Sequence, residues 1–220
     1  TPQGGVISPL LANLFLHYAF DQWMTQERPR MPFERYADDI ICHCATMDEA
    51  LQLRKALEAR FAQTGMTLSE QKTAVVYIDT FERRNVKTSF TFLGYDFKVR
   101  TLRNFKGELF RKCMPGASMK AMKAMVRTIR DWKIHRATES IEGLARRYDA
   151  TIRGWINYYG LFWYRNFSHR LYTALQSRLL KWVKSKYRIE NRRAIRKLAD
   201  IRRENPRLFG HWYMLRASNV

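Results

Sequence analysis

The sequence predicts an α+β fold, a sheet-bearing first half followed by an all-helical second half. Three observations predict it. Up to residue 110, short apolar runs of strand length alternate with turn residues. After Pro115-Gly116, apolar residues recur at steps of three and four, the spacing of packed amphipathic helices. The charge changes at the same place: residues 1–110 hold 14 Lys/Arg against 13 Asp/Glu, whereas residues 111–220 hold 26 against 7, so the second half carries +19 of the net +20. A division into residues 1–114 and 115–220 follows, and 220 residues are enough for one or two real cores.

Taken in order, Gly4-Gly5 lies in a loop where the backbone can approach a ligand closely. Ser8 as N-cap and Pro9 at the first helical position then start a helix whose apolar face is Leu11, Leu14, Phe15 and Tyr18. Phe33 and Ile40-Ile41-Cys42 flank Tyr36-Ala37-Asp38-Asp39 and suit a hairpin with the aspartates at its tip. Thr46 and Glu49 form a capping box, and Ala50, Leu53, Leu57 and Phe61 mark a helix that stops at Gly65. Lys72 sits in the turn that follows. Ala74–Ile78 and Ser89–Tyr95 read as strands, with a charged loop at Glu82–Lys87 between them. Tyr95–Val99 and Leu109–Phe110 are expected to pair around Lys106-Gly107.

Beyond Pro115-Gly116 everything reads as helix. The stripes are Met119, Met122, Val126 and Ile129; then Ile141, Leu144, Tyr148, Ile152, Trp155 and Tyr159; then Leu171, Leu175, Leu179 and Trp182; and a shorter one of Ile195, Leu198 and Ile201. Between the stripes lie Lys120, Lys123, Arg127 and Arg130, then Arg146, Arg147 and Arg153, then Arg170, Arg178, Lys181 and Lys184. An array spread over several helices suits phosphate contacts rather than base reading, so a nucleic acid is the expected partner. Trp155, Tyr158, Tyr159, Trp163 and Tyr164 would add stacking or core.

No apolar run approaches the ~18 residues of a membrane-spanning helix. Three cysteines without framework spacing suit a reducing cytoplasm. Cys42-His43-Cys44 has the composition of a metal cluster, but neighbours on a strand diverge, so no zinc site is expected there.

The adjacent pair Asp38-Asp39 is the costly feature of the first half. Two carboxylates ~4 Å apart repel. A hard divalent cation, Mg²⁺ or Mn²⁺, is the natural offset, because it takes carboxylate oxygens and leaves room for water and phosphate.

At this point the residues resemble a known family. The stretch Thr1-Pro2-Gln3-Gly4-Gly5-Val6-Ile7-Ser8-Pro9 resembles the block that precedes the active site of reverse transcriptases, and Tyr36-Ala37-Asp38-Asp39 resembles their catalytic box. Gly65–Thr73 resembles the lysine block, Phe92-Leu93-Gly94-Tyr95 the primer-grip block, and Arg153–Tyr159 the maturase or thumb domain of group II intron reverse transcriptases. The resemblance implies a partial right-hand polymerase palm followed by an all-α helical thumb. It implies Asp38 and Asp39 as catalytic metal ligands for Mg²⁺ or Mn²⁺, and Lys72 beside the leaving pyrophosphate. It further implies Pro2, Gln3, Gly4 and Tyr36 along the incoming dNTP, and Leu93-Gly94 under the primer terminus. The partners it implies are an RNA template with a DNA primer and group II intron RNA; homodimerisation is left open. The family places its first catalytic aspartate upstream of the Pro-Gln-Gly block and some members carry a Cys-rich endonuclease after the thumb. The expectation is therefore a C-terminal piece of a larger RNA-directed DNA polymerase and splicing factor, lacking fingers and inactive alone. Two rivals are a non-catalytic RNA-binding maturase and a related bacterial defence or CRISPR-associated reverse transcriptase. An intact Asp pair speaks against the first, and the Arg153–Tyr159 block against the second.

Overall fold

The computed structural model describes residues 5–78 and 88–214, so Thr1, Pro2, Gln3, Gly4 and the charged loop at Glu82–Lys87 lie outside the described residues. The chain forms two compact units, which divide around residues 78–88.

In the first unit, α1 (Ser8–Leu16) runs through a π-helical turn (His17–Asp21) into α2 (Gln22–Glu27). The helix starts one residue earlier than expected. Ile7 rather than Ser8 is the N-cap, and Pro9 sits inside the first turn, where it needs no N–H partner. The apolar face of Leu11, Leu14 and Tyr18 is exposed; the core side chains of this segment are Phe20, within the π turn, and Met24, beyond it. That turn shifts the helix register, and Arg60 covers the disturbance: its Nε and a terminal nitrogen donate to the Ala19 and Tyr18 carbonyls at 3.0 and 3.3 Å.

Strands β1 (Phe33–Tyr36) and β2 (Asp39–Cys42) form a two-stranded antiparallel hairpin with Tyr36 opposite Asp39. Helix α3 (Met47–Gln63) begins on the expected Thr46/Glu49 capping box and is followed by Gly65 at φ +73°. Its Leu53 and Phe61 close a small core with Phe20 and Met24, and Phe20 meets Phe33 edge-on at 5.0 Å. Residues 74–78 are half-buried for the most part but form no strand.

The second unit opens with β3 (Ser89–Phe92), β4 (Tyr95–Arg103) and β5 (Leu109–Ala117), an antiparallel sheet in that order. Ser89–Tyr95 is therefore not one strand: it breaks at Leu93-Gly94, where φ is +48° and +79°, the positive pair that a type I′ hairpin turn requires. The second hairpin is longer than expected, and Tyr95–Val99 pairs with Ala117–Cys113 rather than with Leu109–Phe110. Pro115-Gly116 consequently lies inside β5 instead of ending the sheet. Proline is tolerated there because β5 is an edge strand.

Helices α4 (Met119–Asp131), α5 (Ile141–Tyr159), α6 (Tyr164–Tyr187), α7 (Asn191–Glu204) and the short α8 (Gly210–Tyr213) complete the unit. Ser118 and Ser140 cap α4 and α5 through bonds from Ala121 N and Gly143 N at 3.1 and 3.2 Å. The α5 and α6 stripes form the core as expected, with Leu144, Ile152, Leu175, Leu179 and Trp182 fully buried. Two stripe ends differ: Met119 and Ile195 are exposed, and Met125 rather than Met119 carries α4 into the core.

The expected stripes omit the C-terminal plug of Phe209, His211 and Trp212, all buried. Trp212 Nε1 donates to Gln176 Oε1 at 3.1 Å, and Gly210 N donates to Asp149 Oδ1 at 2.5 Å. Among the described residues His211 has no hydrogen-bond partner on either ring nitrogen, and burial, with Arg202 adding to it, pushes its pKa down to about 3. The unfolded chain takes up this proton below a pKa of ~6.5 and the folded chain refuses it, so stability falls as pH drops through that window. Acidification to pH ~5 should cost up to about 2 kcal/mol through this residue, at 1.36 kcal/mol per pH unit. Urea unfolding at a series of pH values checks it: His211→Leu should lack that component of the acid sensitivity.

Candidate functional site

The tip of the β1–β2 hairpin is the two-residue turn Ala37-Asp38. Ala37 holds φ +53°, a conformation usually left to glycine, and something must hold it there. Arg35 does. Its Nε and one terminal nitrogen grip both oxygens of Asp21 at 2.7 and 2.6 Å, and the other terminal nitrogen donates to Asn13 Oδ1 at 2.9 Å and to the Ala37 carbonyl at 3.1 Å. One half-buried guanidinium thus fixes the turn to α1 and the π turn. The same bonds hold the Asp21 carboxyl below the usual range and raise Arg35. A π turn gives Asp21 its place, out of step with a regular helix, opposite Arg35.

The turn displays Asp38 and Asp39 together in solvent, with Tyr36 beside them at 65% exposure. They are hard oxygen donors. Among the described residues no group of three or more His, Cys, Asp or Glu could hold a metal by itself. Two exposed carboxylates fit an Mg²⁺ or Mn²⁺ ion that takes its remaining ligands from water and phosphate, which is how Mg²⁺ is usually held. Lys72, exposed, lies in a turn in which its N–H donates to the Ser69 carbonyl at 3.1 Å. At the other end of β2, His43 Nε2 pairs with Glu34 at 2.6 Å, and burial pushes the Cys42 thiol up to about 12, away from the thiolate that a zinc ligand needs.

In the second unit Leu93-Gly94 is built onto α5. Tyr158 Oη donates to the Leu93 carbonyl at 2.8 Å, Tyr95 Oη donates to the Tyr158 carbonyl, and the Ser118 N–H donates to the Gly94 carbonyl at 2.9 Å. A Cβ on Gly94 would lie 2.7 Å from the Tyr159 hydroxyl. The Tyr158-Tyr159 pair therefore supports this turn, and the β3–β4 hairpin belongs with the helices.

The basic residues divide by environment. Lys120, Lys123, Arg130, Arg146, Arg170, Lys181 and Lys184 are exposed, and Arg178 is half-buried. Arg127 and Arg147 are exposed but face Asp131 and Glu139 at 3.9 and 2.9 Å. Arg153 is a packing residue: its Nε contacts Asp149 at 2.5 Å and a terminal nitrogen donates to the Arg207 carbonyl at 3.2 Å.

Two features escaped the sequence reading. Arg35 is a charged residue in an apolar strand, but its partners Asp21 and Asn13 lie 14 and 22 residues away with no pattern linking them. Helix α7 exposes Arg192, Arg193 and Arg196, and the last two line an open cleft of about 480 Å³ with Ile189, Lys197, Asp200 and Glu204. Its density of basic residues was the available signal.

Two stretches of the chain match known families. Residues 1–97 match the family described as reverse transcriptase (RNA-dependent DNA polymerase), and residues 122–199 match the group II intron, maturase-specific domain. A search of curated proteins found no match.

Proposed function

Because this chain belongs to the group II intron reverse transcriptase/maturase family, a reverse transcriptase domain followed by a maturase-specific domain, we propose that it serves RNA-directed DNA synthesis and intron RNA splicing. Residues 1–97 supply part of the polymerase palm and the helices from α4 onward the thumb that binds RNA; the boundary expected at 114/115 falls inside the paired β4–β5 ribbon. The observation that carries the reading is the fixed, solvent-facing turn presenting Asp38 and Asp39, clamped by Arg35.

In this reading Asp38 and Asp39 hold Mg²⁺ or Mn²⁺ together with the nucleotide. An ion held there would supply a lowered pKa at a primer 3′-hydroxyl and charge neutralisation on the triphosphate. Tyr36 flanks the dNTP, with Pro2, Gln3 and Gly4 assigned to the same role from sequence. Lys72 meets the negative charge of the departing pyrophosphate. Leu93-Gly94, held from behind by Tyr158, supports the primer strand of an RNA–DNA duplex. No helix among the described residues is long and apolar enough to cross a membrane. The free cysteines Cys42, Cys44 and Cys113 suit a cytoplasmic location, where intron RNA is met.

The thumb holds RNA through phosphates. If about 6 phosphates are neutralised, log K falls with log salt at a slope of roughly −4 to −5. Substituting Arg170 and Arg178 should flatten that slope by about 1 to 2 and weaken all sequences alike. A salt series on two unrelated structured RNAs measures it. A flat dependence, or a variant that loses one RNA and keeps the other, would count against a phosphate clamp.

A further inference from the structure

Residues 98–121 lie between the two stretches that match known families. They hold most of the β4–β5 hairpin, a ribbon of nine-residue strands about 30 Å long at ~3.3 Å per residue. Its base is anchored: the Arg100 guanidinium lies 4.7 Å over the Trp163 ring and donates to the Met114 carbonyl at 3.2 Å. Its outer half is covered on neither face. Thr101, Arg103 and every residue from Phe105 to Lys112 are exposed, with Phe105 at 95% and Leu109 at 67%.

The tip is nonetheless rigid. Asn104 Oδ1 accepts from the backbone N–H groups of Lys106 and Glu108 at 2.9 Å each, and its side-chain amide donates to Glu108 at 2.7 Å. The Gly107 N–H closes onto the Asn104 carbonyl at 3.0 Å, with Gly107 at φ +87°. This turn projects the Phe105 ring into solvent with the Lys106 ammonium 5.8 Å from its centroid. Over residues 98–112 there are six Lys/Arg and one Glu, a net of +5.

We propose that this hairpin is a single-strand nucleic-acid finger: Phe105 stacks on an unpaired base, and Lys98, Arg103, Lys106 and Lys112 hold the phosphates that flank it. A strand in which flat bases alternate with anionic phosphates complements an exposed ring set among cations. Because the turn is fixed by its own hydrogen bonds, little order is lost on binding. The proposal rests on the reading of this chain as an RNA-binding protein and adds a site that the helical phosphate clamp does not contain.

The test measures binding of the full chain to a short single-stranded RNA and to a blunt duplex of the same sequence, with wild type, Phe105→Ala and Phe105→Trp. Loss of one base stack should weaken single-strand binding by roughly 5- to 150-fold in Phe105→Ala. Duplex affinity and the thermal midpoint should stay near wild type. Phe105→Trp should keep the affinity and show fluorescence quenching on RNA addition beyond that of the wild type. Wild-type single-strand affinity in Phe105→Ala overturns the proposal. So does a blue shift of Phe105→Trp with phosphatidylserine vesicles but no response to RNA, which would assign the finger to an anionic lipid surface. If Phe105→Ala is silent while the salt slope of the helical array persists, the finger falls and the thumb reading stands. If the wild type binds no RNA, both fall.

Discussion

Asp38→Asn is expected to lower primer extension on an RNA template by a factor on the order of 10³, in any protein carrying this chain that is active, because a shared divalent ion supplies several kcal/mol of transition-state charge stabilisation. The substitution keeps the shape of the side chain and, at an exposed turn, should leave folding unchanged. Metal binding gives a second readout. Two carboxylates alone bind Mn²⁺ weakly, and the nucleotide's phosphates complete the coordination. Paramagnetic broadening of signals from residues 36–39 should therefore need much more than micromolar Mn²⁺, should sharpen in its concentration dependence when a nucleoside triphosphate is added, and should vanish in Asp38→Asn. Micromolar Mn²⁺ affinity in the absence of nucleotide, or extension by Asp38→Asn at the wild-type rate, would contradict this assignment.

The second large effect is structural. Gly94→Ala is expected to destabilise the second unit by about 3 kcal/mol, combining an L-residue at φ +79° with a Cβ placed 2.7 Å from the Tyr159 hydroxyl. For a protein of this size that corresponds to a fall in thermal midpoint of roughly 6–12 °C. Tyr159 cannot simply swing away, since its ring packs between Tyr95, Tyr158 and Phe167. Leu93→Gly is the control: φ +48° suits glycine, so this neighbour should tolerate the change at little cost even though it removes a side chain from the same turn. A Gly94→Ala melting curve equal to wild type would show that the turn is not held against α5 in the way the hydrogen bonds indicate.

Arg35 shows why part of the candidate site was legible and part was not. The Asp38-Asp39 pair could be read because two adjacent acids between apolar strand residues need an explanation in any fold, and the hairpin placed them at its tip. The clamp behind them could not be read. It depends on a π turn that no periodicity announces, and this turn brings Asp21 and Asn13 to one guanidinium. Likewise the Phe92–Tyr95 block was visible as a motif, but its break into a turn with two positive φ values follows from the pairing of Phe92 with Tyr95 and the support of Tyr158.

What the sequence determined by itself was everything set by local chemistry and periodicity. The Thr46/Glu49 capping box, the stop at Gly65, the buried stripes of α5 and α6, and the concentration of charge after residue 110 all act within a few residues of where they are written. Tertiary structure decided whatever needs a distant partner. Residues 74–78 have strand-forming side chains but are not part of a strand among the described residues, and Pro115-Gly116, a turn by composition, is a strand because β4 pairs with it. Met119 and Ile195 lie on helical stripes yet face solvent, while His211 and Trp212, on no visible stripe, are buried by α5 and α6. Local preferences are worth about 1 kcal/mol or less per residue. A ladder, a buried aromatic or a guanidinium clamp is worth more, and each of these exists only once folding has brought its distant partners together.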